Sequence, residues 1–347
     1  MTYGLTYDQG VSAALTRNPT GSSEIRRTRW KRLRMWFAVP AGVLLLFYGL
    51  VGYLGCADMF GDHPRWRGMN RGPADFGLVA ETVSFASQDG IPLKAWWLPA
   101  NGTHRGAVVI AHGIDHTRQV MLPRATFLVH GGYDVLAVDL RGHGESDGTI
   151  VSPGILEAKD ILGAVRYIRS RGNNEPIAVL GVSYGAVASL IAAAQSSEIA
   201  AVVSDGAFAS GKQVSEDISR HFLIDPKTNF WVRALFRVSS CPGASRATAL
   251  AYYLRSGVYL GPNLLSVIPW ASRVPVPVLV ISGEQDWIVP TVRAKQIFSA
   301  IPNHQKQLLT IPDAVHDTTY STAQELYENA VLTFLATSVN DTRQVLD

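Results

Sequence analysis

From Glu81 onward the chain alternates short, wholly apolar runs with amphipathic segments, and few folds accept that rhythm. The runs are AVVIAHG (107–113), VLAVDL (135–140), PIAVLGV (176–182), AAVVSDG (200–206), VPVLVISG (276–283) and QLLTIP (307–312). None alternates polar with apolar residues, so each reads as a strand covered on both faces. Between them, residues 119–130, 155–171, 184–195, 292–300 and 323–336 carry helical periodicity. Strands and helices in strict alternation build a mostly parallel sheet with helices on both faces. Upstream, VSF (83–85) and PLKAWWL (92–98) flank Gln88-Asp89-Gly90, which predicts a hairpin at the sheet's start. One interval breaks the pattern. Residues 207–272 are too long for a strand-to-helix loop and rich in aromatic residues, so they read as a helical cap inserted into the fold.

Met35 to Ala57 holds 23 residues without a charge. At 1.5 Å per residue a helix of that length covers roughly 34 Å, enough for a hydrocarbon core of about 30 Å. Pro40 and several glycines are tolerated in a bilayer helix, and Trp36, Phe37 and Tyr53 lie near its ends, where aromatic rings favour the interface. Arg26, Arg27, Arg29, Lys31, Arg32 and Arg34 precede the run, whereas only Arg65 and Arg67 follow closely. That bias predicts a single-pass signal anchor with a cytoplasmic amino terminus and an extracytoplasmic body. The competing readings fit less well. The run and its leader are long for a cleaved signal, Tyr53 departs from a lipoprotein pattern, Arg29 departs from a twin-arginine one, and the basic block suits no buried core helix.

Residues 1–57 carry seven of the 31 Lys/Arg and two of the 28 Asp/Glu, leaving 24 basic and 26 acidic residues for the rest. A near-neutral body behind a basic arm indicates a membrane surface and not nucleic acid. With 47% hydrophobic and 17% charged residues, the chain is not a disordered one. Cys56 and Cys241 form no disulfide framework and no metal-ligand spacing. The expected organisation is a cytoplasmic basic tail (1–34), a transmembrane anchor (35–57), a Gly/Pro/Arg-rich linker (58–78), an α/β sheet domain (79–338) with its cap (207–272), and a short tail (339–347).

Gly181-Val182-Ser183-Tyr184-Gly185 closes the run PIAVLGV and opens the helix YGAVASLIAAAQ. In that setting G-x-S-x-G is a nucleophile elbow: small flanking residues permit a sharp turn that lifts the serine above the sheet. A serine hydroxyl needs a base, and His316, in the loop IPDAVHD after the last strand, is the candidate. Asp286, after VPVLVISGEQ, is the candidate orienting acid, and Asp205 is its rival. Asp313 and Asp317 lie too near His316 in sequence to orient its ring easily and read as loop caps. Acyl transfer also needs two backbone donors for the oxyanion, and the amides of Tyr184 and Ile114 are expected to supply them. His112 and His143 read as turn-stabilising, not catalytic.

On AHG (111–113), DLRGHGESDG (139–148), GVSYG (181–185), SGEQDWIVP (282–290) and AVHD (314–317), the chain resembles the α/β-hydrolase superfamily over roughly residues 79–338. It looks closest to the lysophospholipase-like and serine aminopeptidase-like branch. The resemblance implies acyl-enzyme chemistry on an ester, thioester or amide, and because the sequence shows no metal site, dinucleotide fingerprint or phosphate loop, no cofactor is expected. Aromatic residues in the cap and an anchor at a bilayer suggest a small-molecule or lipid-like ester as substrate. An aminopeptidase is the hydrolytic alternative, for which Glu284 or Glu216-Asp217 offer an acid to hold a peptide amine. A catalytically silent hydrolase fold that binds a ligand or partner is the non-enzymatic one. Oligomeric state is not legible in the sequence.

Overall fold

The computed structural model describes residues 20–56, 71–102, 104–241 and 243–346. They divide into two compact units, the first ending at Tyr48 and the second beginning at Gly49. Helix α1 (Thr20–Cys56) runs from the first unit into the second and contains Pro40. Within it, Trp36–Leu54 is long and apolar enough to cross a membrane, with a mean hydropathy of 2.0 and 11% of the stretch buried. The helix begins well upstream of the apolar run, so residues 20–34 of the expected tail are helical. Most of the predicted linker, with Arg65 and Arg67, lies outside the described residues. Its last part, Pro73–Phe76, makes one 3-10 turn, and Leu78 is buried.

The second unit is organised by eight strands. They are β1 (Glu81–Ala86), β2 (Pro92–Leu98), β3 (Gly106–Ala111), β4 (Tyr133–Val138), β5 (Ile177–Val182), β6 (Ile199–Asp205), β7 (Val278–Gly283) and β8 (Gln307–Ile311). They form one sheet in the order β1-β2-β4-β3-β5-β6-β7-β8. β1 pairs with β2, and β2 with β4, antiparallel; every later pairing is parallel. Between β3 and β8 run helices α2 (Leu122–His130), α3 (Glu157–Ser170), α4 (Tyr184–Ala193), α5 (Gly211–Ile224), α6 (Phe230–Ser239), α7 (Ala244–Ser256), α8 (Ile268–Ala271) and α9 (Thr291–Ala300). The single turn α10 (Thr319–Thr322) and the long α11 (Gln324–Leu346) follow β8. The helix α11 absorbs residues 339–346, read from sequence as a tail. No Gly or Pro interrupts it, and the polar TSVNDT (337–342) lowers helix propensity without ending the helix.

Two cores flank the sheet. Ile177 and Val179 of β5 pack with Ile161 and Ile168 of α3 and Leu190 and Ile191 of α4. The alternating residues Ala178, Leu180 and Val182 pack on the other face with Leu128 of α2 and Phe334 of α11. This period of two explains why the strands are apolar throughout: each side chain meets a helix layer, whichever face it takes. Helices α5 to α8 fill the interval between β6 and β7, where the sequence indicates a cap. Side chains on α5 and α7 tie the cap to the sheet domain. Asp217 of α5 makes a two-pronged ion pair with Arg293 of α9, at 2.8 and 2.9 Å. His221 of α5 stacks on Trp287 at 4.1 Å between ring centroids. Tyr252 of α7 donates from its hydroxyl to the Val151 carbonyl at 2.8 Å.

Candidate active site

The carboxyl ends of β5, β7 and β8 bring Ser183, Asp286 and His316 together. Ser183 stands between β5 and α4 with φ 51° and ψ −109°, a positive-φ conformation that costs a non-glycine residue energy. Its neighbours make the turn possible. A Cβ on Gly185 would stand 2.4 Å from the Ala111 carbonyl oxygen, and one on Gly181 would stand 2.2 Å from Gly185's own. Only glycine lets α4 start this close to β3. The Ser183 amide donates to the Asp205 carbonyl at 2.7 Å, fixing the elbow to β6.

The Ser183 hydroxyl donates to His316 Nε2 at 2.9 Å, and His316 Nδ1 donates to Asp286 Oδ2 at 2.7 Å. The second oxygen of Asp286 accepts the amides of Ile288 and Val289 at 2.9 and 2.8 Å. Two main-chain donors and one ring donor thus hold the carboxylate in place. Burial works against charging His316, but the Asp286 hydrogen bond and the Asp317 and Asp286 charges outweigh it and raise its pKa above the ordinary histidine value.

The rival acid, Asp205, is committed elsewhere. Its carboxylate accepts from Thr319 at 2.8 and 2.9 Å, from Tyr327 at 3.0 Å and from Arg124 at 3.2 Å. Burial pushes its pKa up although Arg124 pulls the other way.

His112 and His143 are fixed in place. Nε2 of His112 accepts the Leu140 amide at 3.1 Å, so its proton sits on Nδ1 and donates to the Gly113 carbonyl at 2.7 Å. Burial holds this ring well below the usual pKa, helped by His143. His143 likewise accepts the Asp115 amide at 3.2 Å and donates to the Arg141 carbonyl at 2.9 Å. These bonds shape the β3–α2 loop that carries Ile114. A Cβ on Gly113 would lie 3.5 Å from Ser183 Cβ, so the loop passes directly beside the elbow.

Asp317, which reads from sequence as a loop cap, belongs to the site. It adopts φ 61°, and its Oδ1 approaches His316 Nε2 to 3.6 Å while remaining buried without a hydrogen bond. A glycine-like conformation at an aspartate turns the side chain back toward its neighbour, which sequence proximity does not foretell. Glu284, by contrast, is exposed and accepts from Thr310, and Glu216 pairs with Lys212. A cavity of about 620 Å³ lies between α5 and α9 and is lined by none of Ser183, Asp286 and His316. The described residues hold no cluster of metal-ligating side chains.

Residues 102–239 match the family model for the serine aminopeptidases, S33. The uncharacterized protein YfhR of Escherichia coli K12 is 26% identical over 270 residues, covering 75% of this chain and 82% of its own. The α/β-hydrolase domain-containing protein WAV2 of Arabidopsis thaliana is 24% identical over 282 residues, 76% of this chain and 80% of its own. Among solved structures, the Pyrococcus furiosus esterase Pf2001 superposes with a TM-score of 0.63 at 24% identity, covering 81% of this chain and 98% of the esterase. With its sheet order and its strand–serine–helix elbow, the chain has the α/β-hydrolase fold.

Proposed function

We propose that the protein is a serine hydrolase that cleaves carboxylic esters through an acyl-enzyme, with Ser183 as nucleophile, His316 as general base and Asp286 as orienting acid. The hydrogen-bonded series from Ser183 Oγ through both nitrogens of His316 to Asp286 carries this reading. His316 takes the serine proton as Oγ attacks the ester carbonyl, then returns it to the leaving alcohol. Water repeats the cycle to release the acid. The oxyanion falls to the Tyr184 amide, at the start of α4, and to the Ile114 amide on the loop beside the elbow. A silent binding fold has no need for three such groups in register. Esterase similarity in the fold and an aromatic cap favour apolar esters. The α1 segment Trp36–Leu54 would hold the enzyme at a membrane, with its body extracytoplasmic.

The aminopeptidase reading is favoured by one observation, the buried Asp317 oxygen near His316 that accepts no hydrogen bond, which offers a place for an ammonium group.

The test is fluorophosphonate labelling of the full chain in detergent. The probe should label the native protein, and Ser183→Ala should abolish labelling while leaving the circular dichroism unchanged. Labelling that survives the substitution, or its absence from well-folded native protein, would overturn the assignment. Parallel turnover of p-nitrophenyl esters and aminoacyl p-nitroanilides then separates the two hydrolytic readings.

A further inference from the structure

The cap exposes apolar side chains on one helix after another. On α6, Phe230, Trp231 and Leu235 are 70%, 78% and 57% exposed. At 100° per residue they share one arc with Ala234 and Arg237, while Phe236 points the other way and stacks on Phe222 of α5 at 4.6 Å. The helix is therefore apolar on its packed side and on its open side. On α7, Leu250, Tyr253 and Leu254 stand with Arg246 at spacings of four, seven and eight, on a single stripe. Leu254 is 75% exposed, and Tyr259, 68% exposed, meets Tyr253 edge to face at 6.3 Å. Ile224, at the end of α5, is 70% exposed.

The same segment is cationic. Residues 218–256 contain Arg220, Lys227, Arg233, Arg237, Arg246 and Arg255 against one carboxylate, Asp225, a net +5, whereas the body from residue 58 on carries a slight negative excess. An aqueous surface gains nothing from exposed Trp and Phe between arginines. The boundary of an anionic bilayer gains from both, by burying the rings and attracting the cations.

A third observation joins this face to the end of the apolar helix. Gly52, in the last turns of the apolar helix, packs on α7: a Cβ there would lie 2.5 Å from the Ala247 carbonyl oxygen and 3.2 Å from Ala251 Cβ. Small residues on both sides permit that close helix packing. The end of the segment able to cross a membrane is thus held against the helix that carries Arg246, Leu250 and Leu254.

We propose that the exposed face of α6 and α7, with the end of α5, docks on an anionic phospholipid surface. Phe230, Trp231, Leu235, Leu250 and Leu254 enter the interfacial layer, and Lys227, Arg237 and Arg246 meet the headgroups. The docking surface is independent of Ser183 and of the reaction it performs. Because His221 of α5 also stacks on Trp287, next to Asp286, the docking cap is joined to the loop that carries Asp286.

The full chain, with Cys56 and Cys241 replaced by Ser, is reconstituted into vesicles and labelled with an environment-sensitive fluorophore at Leu235→Cys. A label at Glu198→Cys, exposed at the amino end of β6, serves as reference. In vesicles containing phosphatidylglycerol, the Leu235 label should shift to the blue and be quenched by nitroxide lipids, while the Glu198 label should not. Combining Lys227→Glu, Arg237→Glu and Arg246→Glu should weaken docking by roughly 100-fold or more, about fivefold for each cation taken from the anionic surface. Fluorophosphonate labelling of Ser183 should persist in that variant. Equal solvent exposure of the two labels in anionic vesicles would overturn the proposal. So would protection of the Leu235 label that needs no lipid and rises with protein concentration, which would make this face an interface between two copies.

Discussion

Asp286 and Asp317 stand on opposite sides of the His316 ring, one at each nitrogen. In the proposed mechanism Asp286 orients the base, whereas Asp317 adds negative charge where the imidazolium proton would sit. Hydrolysis by the proposed route requires neutral His316, so a raised pKa moves the acidic limb of kcat/KM upward. Asp317→Asn should therefore shift that limb to lower pH with little change in thermal stability. The pH profile of ester turnover checks this, and an unmoved limb would show that Asp317 does not act on His316. Ser183, Asp286 and His316 are legible as candidates in the sequence because each follows the carboxyl end of an apolar strand. Asp317 is not, since its direction is set by a left-handed turn that the sequence does not announce.

The helices following β3 and β8 are held by a buried carboxylate of β6. Asp205 joins Arg124 of α2, Thr319 of α10 and Tyr327 of α11 at the end of β6. Removing it leaves Arg124 buried without its counter-ion, so Asp205→Ala should cost about 3–5 kcal/mol of stability. Denaturant unfolding of the folded variant measures the loss. Helices and strands of the sheet domain are readable because their apolar pattern has one cause, burial between layers. The cap is readable only as an insertion. Its aromatics look alike in sequence, yet Phe236 packs inward on Phe222 while Phe230 and Trp231 face outward. Composition cannot separate the two roles, because both faces of α6 are apolar.

Across the whole molecule, burial raises the pKa of several carboxyls of the sheet domain. Burial and the neighbouring Asp160 push Glu157 up to about 7, despite donors from Ser152 and Gly154. Burial pushes Asp160 to about 6, against the pull of Arg141. Asp139 and Asp205 move in the same direction, again through burial. In each case the folded state binds protons more tightly than the unfolded chain. Their contribution to stability is therefore fully present below the ordinary carboxylate range and is lost as pH rises toward about 7. The unfolding free energy should fall between about pH 5 and 7 and level off above it, as denaturant titrations across that range would reveal. A curve that climbs through the window would show that these groups are not held as described.

The chain order of the site also has a bearing on when it can work. Ser183 lies near the middle of the chain, but the residues bonded to it in series are Asp286 and His316, the second in the loop after the last strand. A ribosome releases the serine long before it releases the base. Until β8 pairs beside β7 and brings that loop across, the hydroxyl has no proton acceptor. Under the proposed mechanism, a chain that is incomplete, nicked late in its length or stalled during transfer across a membrane carries an unarmed serine. The cell is then exposed to the hydrolase only after synthesis and folding are finished.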